Sequence, residues 1–284
     1  MSDVNNTTNM AVFCDFENVA LGVRDASYNR FDIQKILERL LLKGNIVVKK
    51  AYCDWDRYKG FKGTMHEAAF ELIEIPHVRM SGKNSADIRM VVDALDLCYT
   101  KSHVDTFVVI SGDSDFSPLV SKLRENNKLV IGVGVKNSTS DLLIASCDEF
   151  IYYDDLIRAA DKKRKPKAAK KTASKKKTRS KTSKAEKDVE TAPATKTDTD
   201  LTQEAYDLLL ETLDDMLAER GGKKVWGSMV KQAIKRRKPG FNESYHGFKG
   251  FSDLLEAAEK KGLINLQHDQ ESGGHVITAN NNDD

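Results

Sequence analysis

Between Met10 and Tyr152, short runs of consecutive β-branched residues alternate with longer stretches in which apolar residues recur every three or four positions. The first kind of run suits strands buried on both faces, and the second suits amphipathic helices packed over them. Strands are predicted at Met10–Asp15, Ile46–Cys53, His77–Met80, Thr106–Ser111, Leu129–Gly134 and Phe150–Tyr152. Phe31–Leu42 reads as a helix with Phe31, Ile33, Ile36, Leu37, Leu40 and Leu41 on its inner side. Ala86–Tyr99 reads as another, with Ile88, Val91, Val92, Leu95 and Cys98 turned inward, and Phe116–Asn126 as a third, Pro118 being tolerated in its first turn. This alternation predicts an α/β sandwich with a mostly parallel sheet over residues 10–160, after a disordered start at 1–9.

From Asp161 to about Asp200 the periodicity vanishes into Lys, Ala, Ser and Thr, including Lys-Lys-Arg-Lys-Pro at 162–166. Such a segment buries too little apolar area to offset chain entropy, so 161–200 is read as a basic disordered linker. Helical spacing resumes at Leu201–Arg220 through Leu201, Ala205, Leu208, Leu209, Leu213 and Leu217, and stops at Gly221-Gly222. Two shorter helices at Trp226–Arg237 and Phe251–Lys261, with a hairpin from Leu263–Leu266 and His275–Ile277, outline a small winged helix-turn-helix at 201–278. Residues 279–284 are expected to be a disordered tail.

Charge changes this picture. The formal total is only +2, yet residues 1–160 carry 19 basic and 23 acidic side chains, 161–187 carry 14 and 2, and 188–284 carry 12 and 18. A strongly basic segment therefore separates two acidic ones. No window approaches the about 18 apolar residues of a membrane span, and Met1–Asn9 lacks the character of a signal peptide, so a cytoplasmic protein without membrane contact is expected. Cys14, Cys53, Cys98 and Cys147 sit among apolar neighbours without C-x-x-C spacing, as reduced buried thiols would, and nothing in that spacing supports a zinc site.

The candidate chemistry lies in acids placed where strands end or helices begin, which is where an open parallel sheet has its functional crevice. Asp15 ends the first strand, Asp87 opens a helix, and Asp113 and Asp115 follow Phe107-Val-Val-Ile-Ser111. If the strands before Asp15 and Asp113 are neighbours, the four carboxylates converge, and convergent carboxylates repel unless a cation lies between them. Hard oxygen donors favour Mg²⁺ or Mn²⁺, ions suited to phosphodiester hydrolysis. Each acid also has a plain reading as a helix cap, and Ser-Gly-Asp-Ser-Asp as a tight turn, whereas Asp15 after a buried strand lacks an obvious local donor. Glu17 is expected to point away or be exposed.

Phe13-Cys14-Asp15-Phe16-Glu17-Asn18, Gly82-Lys83-Asn84-Ser85-Ala86-Asp87-Ile88 with Val92-Asp93-Ala94-Leu95, and Val109-Ile110-Ser111-Gly112-Asp113-Ser114-Asp115-Phe116 resemble the NYN domain family in its LabA-like branch, within the PIN-like nuclease superfamily. The resemblance covers about residues 10–155. It implies a Mg²⁺- or Mn²⁺-dependent ribonuclease with an α/β/α sandwich, its acids carried by Asp15, Asp87, Asp113 and Asp115. Asn18 and Asp93 also match family positions. Asn18 is read either as orienting water or phosphate or as capping its turn. Asp93, about 120° around the helix from Asp87, is read as a hydrogen-bonding support. Lys83 is read either as a phosphate contact or as a solvated loop lysine.

In the C-terminal unit, Lys231, Lys235, Arg236, Arg237, Lys238, Tyr245, His246 and Lys249 interleave basic and aromatic side chains, a pattern suited to phosphate contacts and base stacking. Trp226 and Phe251 are read as core. Val225-Trp-Gly-Ser-Met-Val, Lys238-Pro-Gly-Phe-Asn-Glu-Ser-Tyr-His-Gly-Phe248 and Gly250-Phe-Ser-Asp-Leu-Leu-Glu-Ala-Ala258 resemble the OST-HTH, or LOTUS, domain. That resemblance implies binding of single-stranded or structured RNA, or protein contacts. Three functional readings follow: an RNA-cleaving enzyme, a non-catalytic RNA-binding regulator, and a receiver-like adaptor that the Ser-Gly-Asp-Ser-Asp motif fits poorly.

Overall fold

The computed structural model describes residues 8–26, 28, 31–75, 85–164, 198–220, 224–268 and 274–279. β1 (Asn9–Asp15) passes directly into α1 (Phe16–Asp25), because the Asp15 carboxylate accepts the Asn18 N–H and caps the first turn. Then come α2 (Ile33–Leu41), β2 (Asn45–Cys53), α3 (Lys59–Glu67), β3 (Glu71–Glu74), α4 (Ser85–Thr100) and β4 (Thr106–Ile110). A 3₁₀ turn at Ser114–Phe116 leads into α5 (Ser117–Glu125), followed by β5 (Leu129–Gly134), α6 (Asp141–Ser146), β6 (Glu149–Tyr152) and α7 (Tyr153–Arg164).

All six strands are parallel, in the order β3-β2-β1-β4-β5-β6. The chain adds β2 and β3 on one side of β1, then crosses to add β4, β5 and β6 on the other. The change of direction falls between β1 and β4, the point at which such sheets open a crevice. Register sets Cys14 beside Ile110 there, so Asp15 and Ser111 leave the sheet side by side. On one face Met10, Val12 and Cys14 pack with Phe16, Ile36, Leu40 and Trp55. On the other, Ala11 and Phe13 pack with Met90, Ala94, Phe107 and Val120. Side chains alternate across each strand, and helices close both faces.

Two expectations about this sheet need correction or restriction. The strand expected at His77–Met80 lies outside the described residues, and the described edge strand is Glu71-Leu-Ile-Glu74, whose flanking charges hid it from an apolar pattern. Helix α4 is where expected but is rotated from the expected facing: Cys98 is inside, Val91 and Leu95 pack at the margin of the core, and Ile88 and Val92 turn outward. Met90, Ala94 and Cys98 are buried, whereas Ile88 is 63% and Val92 55% exposed. The rings of Phe13, Tyr52 and Phe107 fill this layer, leaving room for small side chains from the helix. All four cysteines are buried free thiols.

The remaining elements are α8 (Asp198–Arg220), β7 (Val225–Trp226), α9 (Gly227–Arg237), α10 (Phe251–Lys260), β8 (Ile264–His268) and β9 (His275–Ala279). Their strands form an antiparallel sheet in the order β7-β9-β8. Leu209, Leu213, Val230, Ile234, Leu254, Leu255 and Ile277 make a separate core, in which Phe248 and Phe251 are also buried. Three helices and a small antiparallel sheet give a winged helix-turn-helix outline. This unit touches the larger one at its sheet edge. The Phe150 N–H donates to the Pro239 carbonyl (2.9 Å) and Asn242 Nδ2 donates to Asp155 (2.7 Å). The turn after α9 thereby covers part of an open strand edge.

Most of the expected linker and termini lie outside the described residues, but their bounds need correction: Asn9 already pairs in β1, Ala279 still belongs to β9, α7 runs to Arg164 and α8 begins at Asp198. Among the described residues, no helix is long and apolar enough to cross a membrane.

Candidate active site at the carboxyl edge of the sheet

The carboxyl ends of β1 and β4 carry the acids. Asp15 is only 6% exposed and is held at both oxygens: one accepts the Asn18 N–H (3.3 Å), the other the Ser111 hydroxyl (2.9 Å). Ser111, fully buried, in turn accepts the Asp113 N–H (3.2 Å). One hydroxyl thus ties the two acid-bearing loops together. A second tie is Asn18, whose Oδ1 accepts the Gly112 N–H (2.8 Å), while the Gly112 carbonyl accepts the Ser140 N–H (2.9 Å). Of the two readings of Asn18, the structure shows a cap for the turn carrying Asp113.

Asp113 is half-buried and caps the 3₁₀ turn by accepting the Asp115 N–H (3.0 Å); Asp115 itself is exposed in that turn. Asp87 approaches from the first turn of α4 and is half-buried. Electrostatics show that these groups face one another. Burial, then the charge of Asp87 and more weakly that of Asp113, pushes the Asp15 carboxyl up to about 7, against the pull of its Ser111 and Asn18 hydrogen bonds. Burial, then Asp113, Asp115 and Glu17, pushes Asp87 up to about 6. Glu17 therefore acts on this edge as well, although its carboxylate is paired with Arg57 (3.2 Å).

Asp93 points elsewhere. It accepts the Tyr52 hydroxyl (2.9 Å) and pairs with Lys50 (3.4 Å) and Arg89 (3.1 Å), which fixes α4 to β2. Lys83 lies outside the described residues. Ser111 is the residue that sequence reasoning missed: its hydroxyl is a single small group at the end of an apolar strand, and its partner is 96 positions away.

The donor set suits a hard divalent cation, being all carboxylate oxygen with mutual repulsion to relieve. Among the described residues no three acidic, histidine or cysteine side chains are already gathered as a ligating group.

In the smaller unit, Arg236, Lys238 and Lys249 are exposed. Lys231 pairs with Glu243 (3.0 Å), Lys235 with Glu149 (3.5 Å), and Arg237 with Asp215 (2.8 Å) and Glu211. His246 is buried, with Nδ1 2.7 Å from the Leu201 carbonyl, and Lys136 stands 3.3 Å over the Tyr245 ring. Arg237, Lys238, Tyr245, His246, Lys136 and Tyr152 are among the residues lining a hollow of about 430 Å³ between the two units.

The chain has relatives. An uncharacterized protein of Methanocaldococcus jannaschii is 30% identical over 112 residues, covering 39% of this chain and 43% of that one. A Xenopus tropicalis protein named meiosis regulator and mRNA stability factor 1 is 24% identical over 152 residues, covering 54% of this chain and 9% of its own length. The chain thus spans less than half the length of either. A solved structure from Vibrio parahaemolyticus, a protein of unknown function, is 27% identical with a TM-score of 0.49, covering 55% of this chain and 98% of that one. The family profile described as NYN domain matches residues 9–161, which include all six strands of the parallel sheet. The chain belongs to the NYN domain family.

Proposed function

We propose that this chain is a metal-dependent ribonuclease that hydrolyses RNA phosphodiester bonds at the carboxyl edge of its parallel sheet. The observation that carries this reading is the electrostatic coupling of Asp15, Asp87, Asp113 and Asp115, two of them pushed well above the ordinary carboxylate range. So much unneutralised acid at a sheet's switch point is costly to the fold and fits a cation-binding role. Membership in a family whose domains are generally RNA nucleases, and whose PIN-like superfamily typically uses divalent metals, supports the same reading.

Asp15, Asp87, Asp113 and Asp115 would hold the cation, Mg²⁺ or Mn²⁺. That ion would supply positive charge to the scissile phosphate and make water easier to deprotonate. The chain's own contribution is positional. Ser111 and the Asn18 N–H fix both oxygens of Asp15, and the Asn18 side chain with Gly112 fixes the loop that presents Asp113. Asp93 anchors the helix carrying Asp87, and Lys83 remains a candidate phosphate contact.

The smaller unit is read as an OST-HTH/LOTUS domain that recruits RNA. Its exposed Arg236, Lys238 and Lys249 are available for phosphates, and the hollow shared with Lys136 joins basic groups to aromatic faces. The printed name of the Xenopus relative, with its mRNA stability, supports RNA as the substrate class. Replacing Arg236 and Lys238 together by Ala is expected to weaken RNA affinity by roughly tenfold and to reduce the salt slope by about two. Fluorescence anisotropy across a salt series checks this, and unchanged affinity would remove this surface from the account.

A second reading, an RNA-binding regulator without turnover, is favoured by one observation: the acids are not already gathered as a ligating group. Incubating the full chain with end-labelled RNA separates the two. Shortening that depends on Mg²⁺ or Mn²⁺ and stops with a chelator supports the enzyme; intact RNA with tight binding supports the regulator.

A further inference from the structure

Helix α4 carries its larger aliphatic side chains on the wrong side for a core helix. Ile88 is 63%, Val92 55% and Tyr99 67% exposed, and Leu95 between them is half-buried. The spacing 88, 92, 95, 99 steps by four, three and four, so the four side chains fall within about 60° of arc. The opposite side is already engaged, with Met90, Ala94 and Cys98 buried in the sheet layer. Leu95 at the margin of this stripe also packs on the sheet layer, while Ile88, Val92 and Tyr99 turn outward as an apolar face of their own. A contiguous exposed apolar seam of this kind marks a contact surface.

The flanking charges identify what fits it. Arg89 and Asp96 each follow a seam residue by one position and lie on the same flank, seven residues apart; Arg89 also pairs with Asp93 of its own helix (3.1 Å) but is 59% exposed. We propose that α4 is a self-association surface, pairing antiparallel with α4 of a second copy of this chain about a twofold axis near its middle. In that register Val92 packs on the partner's Leu95, and Ile88 on the partner's Tyr99. Arg89 then faces the partner's Asp96, and by symmetry Asp96 faces the partner's Arg89, as equivalent flanking positions do in an antiparallel two-helix seam. A parallel pairing would instead set Arg89 and Asp96 near Val91 and Cys98, with no charge matched. The seam is thus self-complementary in both shape and sign.

The pairing does not depend on nuclease chemistry, so failure of either reading leaves the other standing. Asp87 sits beside one end of the seam, and the twofold therefore places the two acid edges toward opposite ends of the helix pair. Four side chains from each copy make a small interface, of the weak and transient class.

Sedimentation equilibrium of the full chain at about 100 µM tests this, with a mass near twice 31.8 kDa expected. Val92→Asp, at an exposed position that leaves the core untouched, is expected to be monomeric at the same concentration with unchanged circular dichroism. Asp96→Arg alone should weaken association by about tenfold. A monomeric wild type, or a dimer that survives Val92→Asp, would overturn the proposal and leave the stripe to another occupant. An Asp96→Arg variant that associates as tightly as the wild type would overturn the antiparallel register.

Discussion

Asp15→Asn is expected to lower RNA cleavage by about 10³-fold or more while making the folded chain more stable. The two effects have one cause. Asp15 is buried and repelled by Asp87 and Asp113, so its carboxyl is raised from 3.8 to about 7. A folded pKa above the unfolded one means that the ionised group weakens the fold at neutral pH, and that this penalty fades as the pH falls toward 4. Asn has the same shape, and with its Oδ1 kept on the Asn18 N–H its amide can donate to the Ser111 oxygen, while it carries no charge to desolvate. The gain at neutral pH in chelator should be on the order of 2 kcal/mol, read from urea unfolding. Loss of activity together with loss of stability would instead mark Asp15 as a structural cap.

Gly112→Ala is expected to be damaging in both respects. A Cβ at Gly112 would overlap the Ser138 carbonyl oxygen and lie 3.1 Å from both the Ser138 carbonyl carbon and Thr139 Cα. These are backbone atoms, which cannot turn aside as a side chain does. The loop must then shift, breaking the Gly112 bonds to Asn18 and Ser140 and displacing Asp113. A loss of about 3 kcal/mol and of most activity follows, measured by denaturant unfolding and RNA cleavage. Gly60→Ala and Gly63→Ala provide the contrast. Both lie in α3, where an added Cβ meets nothing within 4 Å, so each should stabilise by about 0.5–1 kcal/mol. Equal behaviour of Gly112→Ala and these two would show that the loop yields and does not position the acid.

The parallel sheet was legible because its central strands are buried on both faces. Thr106–Ile110 and Leu129–Gly134 are short runs without a charged residue, rich in β-branched side chains and buried almost throughout. Edge strand β3 was not, since only Leu72 and Ile73 separate its two glutamates. Helix α4 was located by its periodicity, and Cys98 was rightly placed inside, but Ile88 and Val92 were not, because apolar residues run most of the way around this helix and period alone does not say which of them meet the sheet. At the site, Asp15, Asp87, Asp113 and Asp115 were visible as acids at element ends. What joins them was not. Ser111 and Asn18 act across 96 and 94 positions through single hydrogen bonds, and such contacts leave no local pattern. Lys231, Lys235 and Arg237 read as free cations in the sequence, yet each is taken up by an acid brought near by folding.

Cleavage of labelled RNA by wild type and Asp113→Asn in Mg²⁺ or Mn²⁺ tests the central claim most directly. Asp113 caps its turn through the Asp115 N–H, a role Asn performs equally well, so the substitution removes charge and leaves the loop in place. The account predicts cation-dependent cleavage by the wild type and a loss of about 10³-fold in the variant; equal cleavage by the two proteins would contradict it.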